Sequence, residues 1–154
     1  VYNYDQSDQI YIFSKQHTHH YITAYKMFID NKAFGVGVKN FRNFCDVKKY
    51  EVSPLSCSTH PHNTYVQILA ETGIVGILFL FSVLFYFFKN MIKHVFLRIK
   101  GKSYFTDFEI CILSGIIIYL WPFIPTGNFF NNWLNIMLVI NLPFLIWSRQ
   151  HYSR

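Results

Sequence analysis

Two histidines separated by a single proline form the part of this sequence best suited to chemistry. His60 and His62 lie in the run Cys57-Ser58-Thr59-His60-Pro61-His62-Asn63-Thr64-Tyr65, which leads directly into a long apolar segment. In an extended loop, residues i and i+2 point to the same side, so we expect both imidazoles to face one site. An imidazole, with an ordinary pKa of about 6.5, suits general base catalysis near neutral pH. Two exposed loop histidines without a catalytic role are the alternative, and the spacing alone leaves it open.

His62 immediately precedes Asn63, a residue type that commonly caps the start of a helix. The backbone N–H groups and the positive end of a helix favour an anion at such a position. They also disfavour a positive charge on His62, so we expect a neutral imidazole beside an anion site. This arrangement predicts a base that acts next to a phosphate-bearing substrate.

A metal site is the competing chemistry. The histidines at positions 17, 19 and 20, with Cys45 or Cys57, offer further ligands to a zinc ion held by the His60 loop. The short ligand spacings typical of zinc sites, such as CxxC and HExxH, are absent from the sequence. We therefore predict neither a metal nor a cofactor.

Two further segments carry candidate binding residues. Gly35-Val36-Gly37, followed by Lys39 and Arg42, suggests phosphate binding, because the two cations are three residues apart on one helix face and arginine grips a diphosphate with two hydrogen bonds. A tight turn followed by an ordinary solvated face explains the same residues.

The turn at residues 125–133, rich in asparagine and aromatic residues, could bind sugar or could be a polar turn at a membrane surface.

The composition is that of a membrane protein. Hydrophobic residues make up 52% of the 154 residues and charged residues only 14%, against about 25% in soluble domains. No charged residue or histidine lies between Glu109 and Arg149. The net charge of +6 does not indicate nucleic-acid binding, because the basic residues mostly flank apolar runs, as in positive-inside topology.

These patterns predict an all-α membrane protein, with a helical region outside the cytoplasm at residues 1–62 followed by three transmembrane helices within residues 63–154. Helical spacing of apolar residues predicts helices at residues 17–31 and 39–49, and a proline- and serine-rich loop follows at 50–62. The spans are expected at about 72–90, 105–124 and 129–147. The basic link 93–102 and the C-terminus are expected in the cytoplasm. Because the chain begins with Val1 and shows no signal peptide, we expect a C-terminal piece of a longer protein.

The three cysteines divide between these regions. Cys45 and Cys57 flank a short loop on the outer side, where oxidising conditions permit a disulfide, so we predict that they are paired. Cys111 falls within a predicted span and is expected to pack as a small apolar residue.

The chain resembles the bacterial O-antigen ligase and polymerase family of integral membrane glycosyltransferases. The resemblance is carried by four segments, Phe34-Gly35-Val36-Gly37-Val38-Lys39-Asn40-Phe41, His60-Pro61-His62-Asn63-Thr64-Tyr65-Val66-Gln67, Ala70-Glu71-Thr72-Gly73-Ile74-Val75-Gly76 and Asn128-Phe129-Phe130-Asn131-Asn132-Trp133. It implies a multi-pass protein of the bacterial inner membrane with a periplasmic active-site loop. It also implies transfer of a glycan from undecaprenyl diphosphate to a sugar hydroxyl, of lipid A core or a growing glycan, without metal or nucleotide sugar.

The resemblance also assigns roles to individual residues. His62 corresponds to the catalytic histidine, and Arg42, the one arginine in residues 1–62, to a diphosphate-binding arginine. Members of the family often have a further arginine where this chain has His17-Thr18-His19-His20, so His17 is a candidate to replace it. With Lys39, His60 and Asn63, these residues form the predicted substrate site. Two rival interpretations remain: a non-enzymatic glycan-binding or flipping subunit, and a periplasmic metal-site protein.

Overall fold

The structure is a computed structural model that describes residues 13–152, and every regular element in that range is an α-helix. The predicted all-α class is confirmed for these residues, while residues 1–12 of the predicted periplasmic region lie outside them. The helices are α1 (Lys15–Asp30), α2 (Phe41–Phe44), α3 (Thr64–Ile99), α4 (Asp107–Tyr119), α5 (Asn132–Val139) and α6 (Asn141–Tyr152).

Helix α1 covers almost the whole of the helix predicted at residues 17–31. The hydroxyl of Ser14 caps its start by accepting a hydrogen bond from the backbone N–H of His17 (3.3 Å). One face of α1 is buried against α3 and contributes Ala24 and Met27 to a small core that also contains Phe41. This packing fixes the start of α1, which carries the histidines, beside the head of α3.

Helix α2 is a single turn and therefore much shorter than the helix predicted at residues 39–49. Lys39 has a left-handed backbone (φ 61°), so regular helix cannot begin before Asn40. Beyond Phe44 the chain continues in turns closed by bonds between residues three apart, such as Tyr50 N–H to the Val47 carbonyl (2.8 Å). Apolar spacing alone does not distinguish such a chain of turns from a continuous helix.

Helix α3 is interrupted near its start by Gly73, whose backbone is left-handed (φ 65°). The carbonyls of Ala70 and Glu71 accept hydrogen bonds from Val36 and Gly37 (2.9 and 3.0 Å), which lie in the turn that follows α1. In return, the N–H groups of residues 74 and 75 donate to the carbonyls of residues 32 and 33. The Gly35-Val36-Gly37 segment is thus a turn whose hydrogen bonds bridge the break in α3. Because the N–H of Gly35 also donates to the Asn31 carbonyl (2.8 Å), none of its three N–H groups is available to a phosphate.

Of the helices described, α3 is long and apolar enough to cross a membrane. It extends beyond the predicted span through most of the basic link and ends at Ile99, with Lys100 as its C-cap. Helix α4 has 13 residues, fewer than the about 20 that a crossing requires. Helices α5 and α6 are separated by a break at Ile140. Pro143 explains the break, because it has no N–H to donate to the carbonyl of Val139 and its ring crowds that carbonyl. The three-span topology stays a prediction.

Candidate functional site

The loop that carries His60 and His62 is held by the segment that follows α4. The imidazole of His60 donates from Nε2 to the carbonyl of Thr126 (3.2 Å), and the N–H of Thr126 donates to the carbonyl of His62 (2.9 Å). Because a carbonyl only accepts, His60 carries its proton on Nε2, and its Nδ1 accepts from the hydroxyl of Thr59 (2.9 Å). Residues 66 positions apart in the chain therefore fix the orientation of this ring.

His62 adopts a left-handed backbone conformation (φ 59°). The loop is therefore not extended at this residue, whereas the prediction from the i, i+2 spacing assumed an extended loop. The two rings nevertheless face one site, because their centroids are only 4.1 Å apart. The Nε2 atom of His62 lies 3.1 Å from the hydroxyl of Ser58. A non-glycine residue in this conformation is uncommon, and here it directs the imidazole of His62 towards the first turns of α1.

Four imidazoles meet at this point. The ring of His62 lies 5.5 Å from that of His17 and 5.6 Å from that of His20, both on α1, in addition to its contact with His60. Three of the four, His17, His60 and His62, were predicted as site residues, and the structure brings them together. We call the set of His17, His20, His60 and His62 the histidine cluster.

Three rings of the histidine cluster, those of His20, His60 and His62, favour the neutral form. Burial, followed by the charges that His60, His20 and His17 would carry, lowers the pKa of His62 from 6.5 to about 4. Burial is also the main reason why the pKa values of His20 and His60 are lowered. At neutral pH His20, His60 and His62 are therefore uncharged, and a bound anion would raise these three pKa values again.

His20 is the cluster member that the predicted site omitted. It is fully buried, and its Nδ1 lies 3.0 Å from the carbonyl of Ser56, so the proton resides on Nδ1. The remaining nitrogen, Nε2, is buried without a hydrogen-bond partner among the described residues. The sequence did contain a signal, because His17 and His20 are three residues apart and share a helix face.

Arg42 and Lys39 differ in their relation to the cluster. The guanidinium of Arg42 is close enough to contribute to the lowered pKa of His60, and it forms no ion pair within residues 13–152. Lys39 is exposed, and no hydrogen bond, ion pair or ring contact joins its side chain to another described residue. The charge of Arg42 therefore acts on His60 without a direct contact between the two side chains, and Lys39 shows no such link to the cluster.

Asn63 caps α3, as its residue type predicts. Its side-chain oxygen accepts from the N–H groups of Tyr65 (3.0 Å) and Val66 (3.1 Å), and its side-chain nitrogen donates to the carbonyl of Pro122 (2.8 Å). Two backbone donors at the head of α3 are thus already paired and are not free for an anion. The role of Asn63 in binding substrate stays a prediction, because these three bonds already explain its position structurally.

A buried polar network behind the cluster was not foreseen from the sequence. Glu71 is fully buried, and its carboxylate accepts from the N–H of Phe41 (2.9 Å) and from the side-chain amide of Gln67 (3.0 Å). The same amide donates to Asn128 (2.8 Å), so the network joins α3 to the turn after α4. Since Phe41 begins α2, Glu71 also fixes the position of the neighbouring Arg42.

The loop between α2 and the cluster is closed by a disulfide between Cys45 and Cys57. Inside this loop, Ser53 accepts or donates a hydrogen bond at His19 Nδ1 (2.5 Å), and Ser56 receives the bond from His20. The covalent link and these two contacts fasten the loop to α1. Cys111 is a free thiol and is exposed on α4.

The described residues contain no group of three or more histidine, cysteine, aspartate or glutamate side chains arranged to hold a metal ion. In the histidine cluster, one nitrogen of each ring is already engaged by a hydroxyl or carbonyl group, and both are engaged in His60.

In the described residues, these features define an all-helical protein with an imidazole cluster at the head of a helix that is long and apolar enough to cross a membrane. The family model for O-antigen ligase matches residues 14–81, the segment that contains the whole histidine cluster, Arg42 and the disulfide. Over this segment the chain is similar to the O-antigen ligase family, which supports the predicted resemblance. Comparison with curated proteins and comparison with solved structures each gave no match.

Proposed function

We propose that this chain is part of a periplasm-facing glycosyltransferase of the bacterial inner membrane, which transfers a glycan from undecaprenyl diphosphate to a sugar hydroxyl. The observation that carries the proposal is the histidine cluster at the head of a helix apolar enough to enter a membrane, with the charge of Arg42 acting on His60. A lipid-linked donor has its diphosphate at the membrane surface, which is where this site would lie.

In the proposed reaction, His62 accepts the proton of the acceptor hydroxyl as the oxygen attacks the anomeric carbon of the donor sugar. The new glycosidic bond forms as the bond from that carbon to the diphosphate oxygen breaks, so the configuration inverts. Undecaprenyl diphosphate leaves with the bonding electron pair, and the proton remains on His62 until solvent removes it. General base catalysis of this kind typically contributes about 10²–10⁴-fold to a rate.

The low pKa of His62 fits this sequence of events. A neutral imidazole at physiological pH has its lone pair ready, but with a pKa of about 4 it is a weak base. Binding of the donor diphosphate would place negative charge beside the cluster and raise this pKa, which would strengthen the base when substrate is present. The proposal therefore links donor binding to activation of His62.

Arg42 is the proposed diphosphate ligand, since its planar guanidinium can bind two phosphate oxygens at once. The test is transfer from a lipid-linked donor by the purified full-length protein. Arg42→Ala should raise the KM for the donor, and Arg42→Lys should recover only part of the loss, because lysine binds as a point charge. Arg98→Ala, at the far end of α3, is the matched control. Donor binding without any transfer by the wild-type protein would favour a glycan-binding or flipping subunit instead.

A further inference from the structure

The turn between α1 and α2 presents apolar side chains to the outside of the protein. The segment from Ala33 to Val38 contains no charged residue and is flanked by Lys32 and Lys39. Phe34 is 74% exposed and Val38 is 51% exposed. We call residues 32–39 the Phe34 loop. Its most apolar side chains are therefore unpacked in a segment whose backbone is firmly bonded.

The Phe34 loop is fixed against the start of the membrane-grade part of α3. The carbonyl of Lys32 accepts from the N–H of Ile74 (2.8 Å), and the carbonyl of Ala33 accepts from that of Val75 (3.3 Å). A Cβ added to Gly73 would lie 2.5 Å from the carbonyl carbon of Ala33, so the two backbones touch. Phe34 is thereby held at the level of Ile74 and Val75, both about half exposed on α3.

The depth of this contact in a lipid bilayer follows from the sequence of α3. Residues 72–88 carry no charge, and at 1.5 Å per residue they extend over about 25 Å, close to the about 30 Å of a bilayer core. Val75 lies about 5 Å inside the first residue of that stretch. Where α3 crosses a membrane, Phe34 therefore lies at the depth where headgroups give way to acyl chains.

We propose that the Phe34 loop is inserted into the surface of the lipid bilayer, with Phe34 and Val38 in contact with acyl chains and Lys32 and Lys39 at the level of the lipid phosphates. Lysines flanking an apolar insertion can extend their ammonium groups to the headgroups while their stems stay in apolar surroundings. The occupant of this surface is lipid because the loop continues the exposed apolar surface of α3. The proposal depends on α3 crossing the membrane and not on transfer activity.

The Phe34 loop would also fix the distance of the candidate site from the membrane surface. Helix α2 begins two residues after Lys39, and its second residue is Arg42. Anchoring the Phe34 loop at the headgroups therefore holds the guanidinium of Arg42 near the plane in which lipid-linked diphosphates lie.

The test is spin-label depth measurement in the full-length protein, reconstituted in nanodiscs of phosphatidylethanolamine and phosphatidylglycerol. Phe34→Cys is made in a Cys111→Ala background with the disulfide intact, and the nitroxide on position 34 is probed with oxygen and with a water-soluble nickel chelate. Phe79→Cys, on the exposed apolar face of α3, is the lipid reference, and Leu55→Cys, an exposed residue of the disulfide loop, is the aqueous reference.

We expect position 34 to resemble position 79, with high oxygen accessibility and nickel accessibility several-fold below that of position 55. Nickel accessibility equal to that of position 55 would place the loop in water and overturn the proposal. Low accessibility to both reagents would show that protein covers the loop, which also overturns it. Neither outcome depends on catalysis, so a failure here is distinct from a failure of the proposed function.

Discussion

Gln67 on α3 and Asn128 in the turn after α4 are joined by a buried hydrogen bond of 2.8 Å, although 61 positions separate them in the chain. The oxygen of the same Gln67 side chain accepts from the N–H of Phe129 (2.8 Å). The pair thus locks the turn that supplies Thr126 to His60 and to the backbone of His62. The orientation of the proposed base depends on this contact between two distant segments.

We predict that Gln67→Ala lowers the free energy of unfolding by roughly 1–3 kcal/mol, because it removes one hydrogen bond each from the buried Glu71 carboxylate and from Asn128 and leaves the N–H of Phe129 without its acceptor. The measurement is thermal unfolding of the full-length protein in nanodiscs. Asn90→Ala is the control, since it removes an exposed side-chain bond from the same helix and should change stability by less than about 0.5 kcal/mol. Equal effects of the two substitutions would show that the buried network is not needed for stability.

The close approach of the Gly35 backbone to the backbone of α3 just before Gly73 predicts a second effect on stability. A methyl group at Gly35 would collide with the backbone of Glu71 and Thr72, and the left-handed φ of 67° adds strain. Gly101→Ala is a matched control, because Gly101 has a similar φ of 69° but no atom within 4 Å of the added Cβ. We expect Gly35→Ala to reduce folded protein far more than Gly101→Ala in expression and thermal-unfolding assays. Similar losses of folded protein from the two substitutions would mean that the strained φ angle, and not the close backbone contact, causes the effect.

The disulfide predicts that one of the three cysteines in this sequence is a free thiol. Peptide mass spectrometry without reduction should find Cys45 linked to Cys57 and only Cys111 open to alkylation. Replacing both linked cysteines with serine should lower stability by about 2–3 kcal/mol, since the loop they close is short. Cys111→Ser is the control and should cost less. Two alkylated thiols at positions 45 and 57 in protein from an oxidising compartment would contradict the assignment.

The lowered pKa of His62 predicts that the protein is sensitive to acid. Because the pKa falls from 6.5 to about 4 in the folded state, the unfolded state takes up the proton first as the pH drops. The contribution to stability is therefore complete above about pH 6.5 and is lost as the pH falls towards 4. His62→Asn should flatten the decline in melting temperature over this range. His151→Asn, an exposed histidine on α6, should leave the decline unchanged, and an identical decline in both variants would oppose the prediction.

Local patterns predicted α1 and the cap of α3 well, but they did not predict that α2 is a single turn or that α5 and α6 are separate helices. Apolar spacing located α1 within two residues at its start, and residue type identified Asn63 as the cap of α3. The break at Gly73 was not predicted, because it depends on hydrogen bonds with residues 32–37 that local sequence does not reveal. For the same reason, the role of Glu71 and Gln67 was missed: their partners lie on other elements.

The candidate site was predicted only in part. The types of His60 and His62 and their resemblance to a family motif indicated the site, and His17 was added by the same resemblance. His20 was omitted because its importance rests on complete burial and an unpartnered Nε2, which become visible only in three dimensions. Lys39 was included on helical spacing with Arg42, but α2 starts after Lys39, so the two do not share a helix face.

The most direct test of the central claim is glycan transfer from undecaprenyl diphosphate by the full-length protein carrying His62→Ala, with membrane insertion verified by immunoblot. We predict that transfer is abolished while expression is retained, because His62 is only partly buried and its loss leaves little cavity. His60→Ala should be milder, since both nitrogens of His60 already serve to orient the loop. Near-normal transfer by His62→Ala with loss in His60→Ala would show that the wrong base was chosen, and near-normal transfer by both would contradict the enzymatic account of this site.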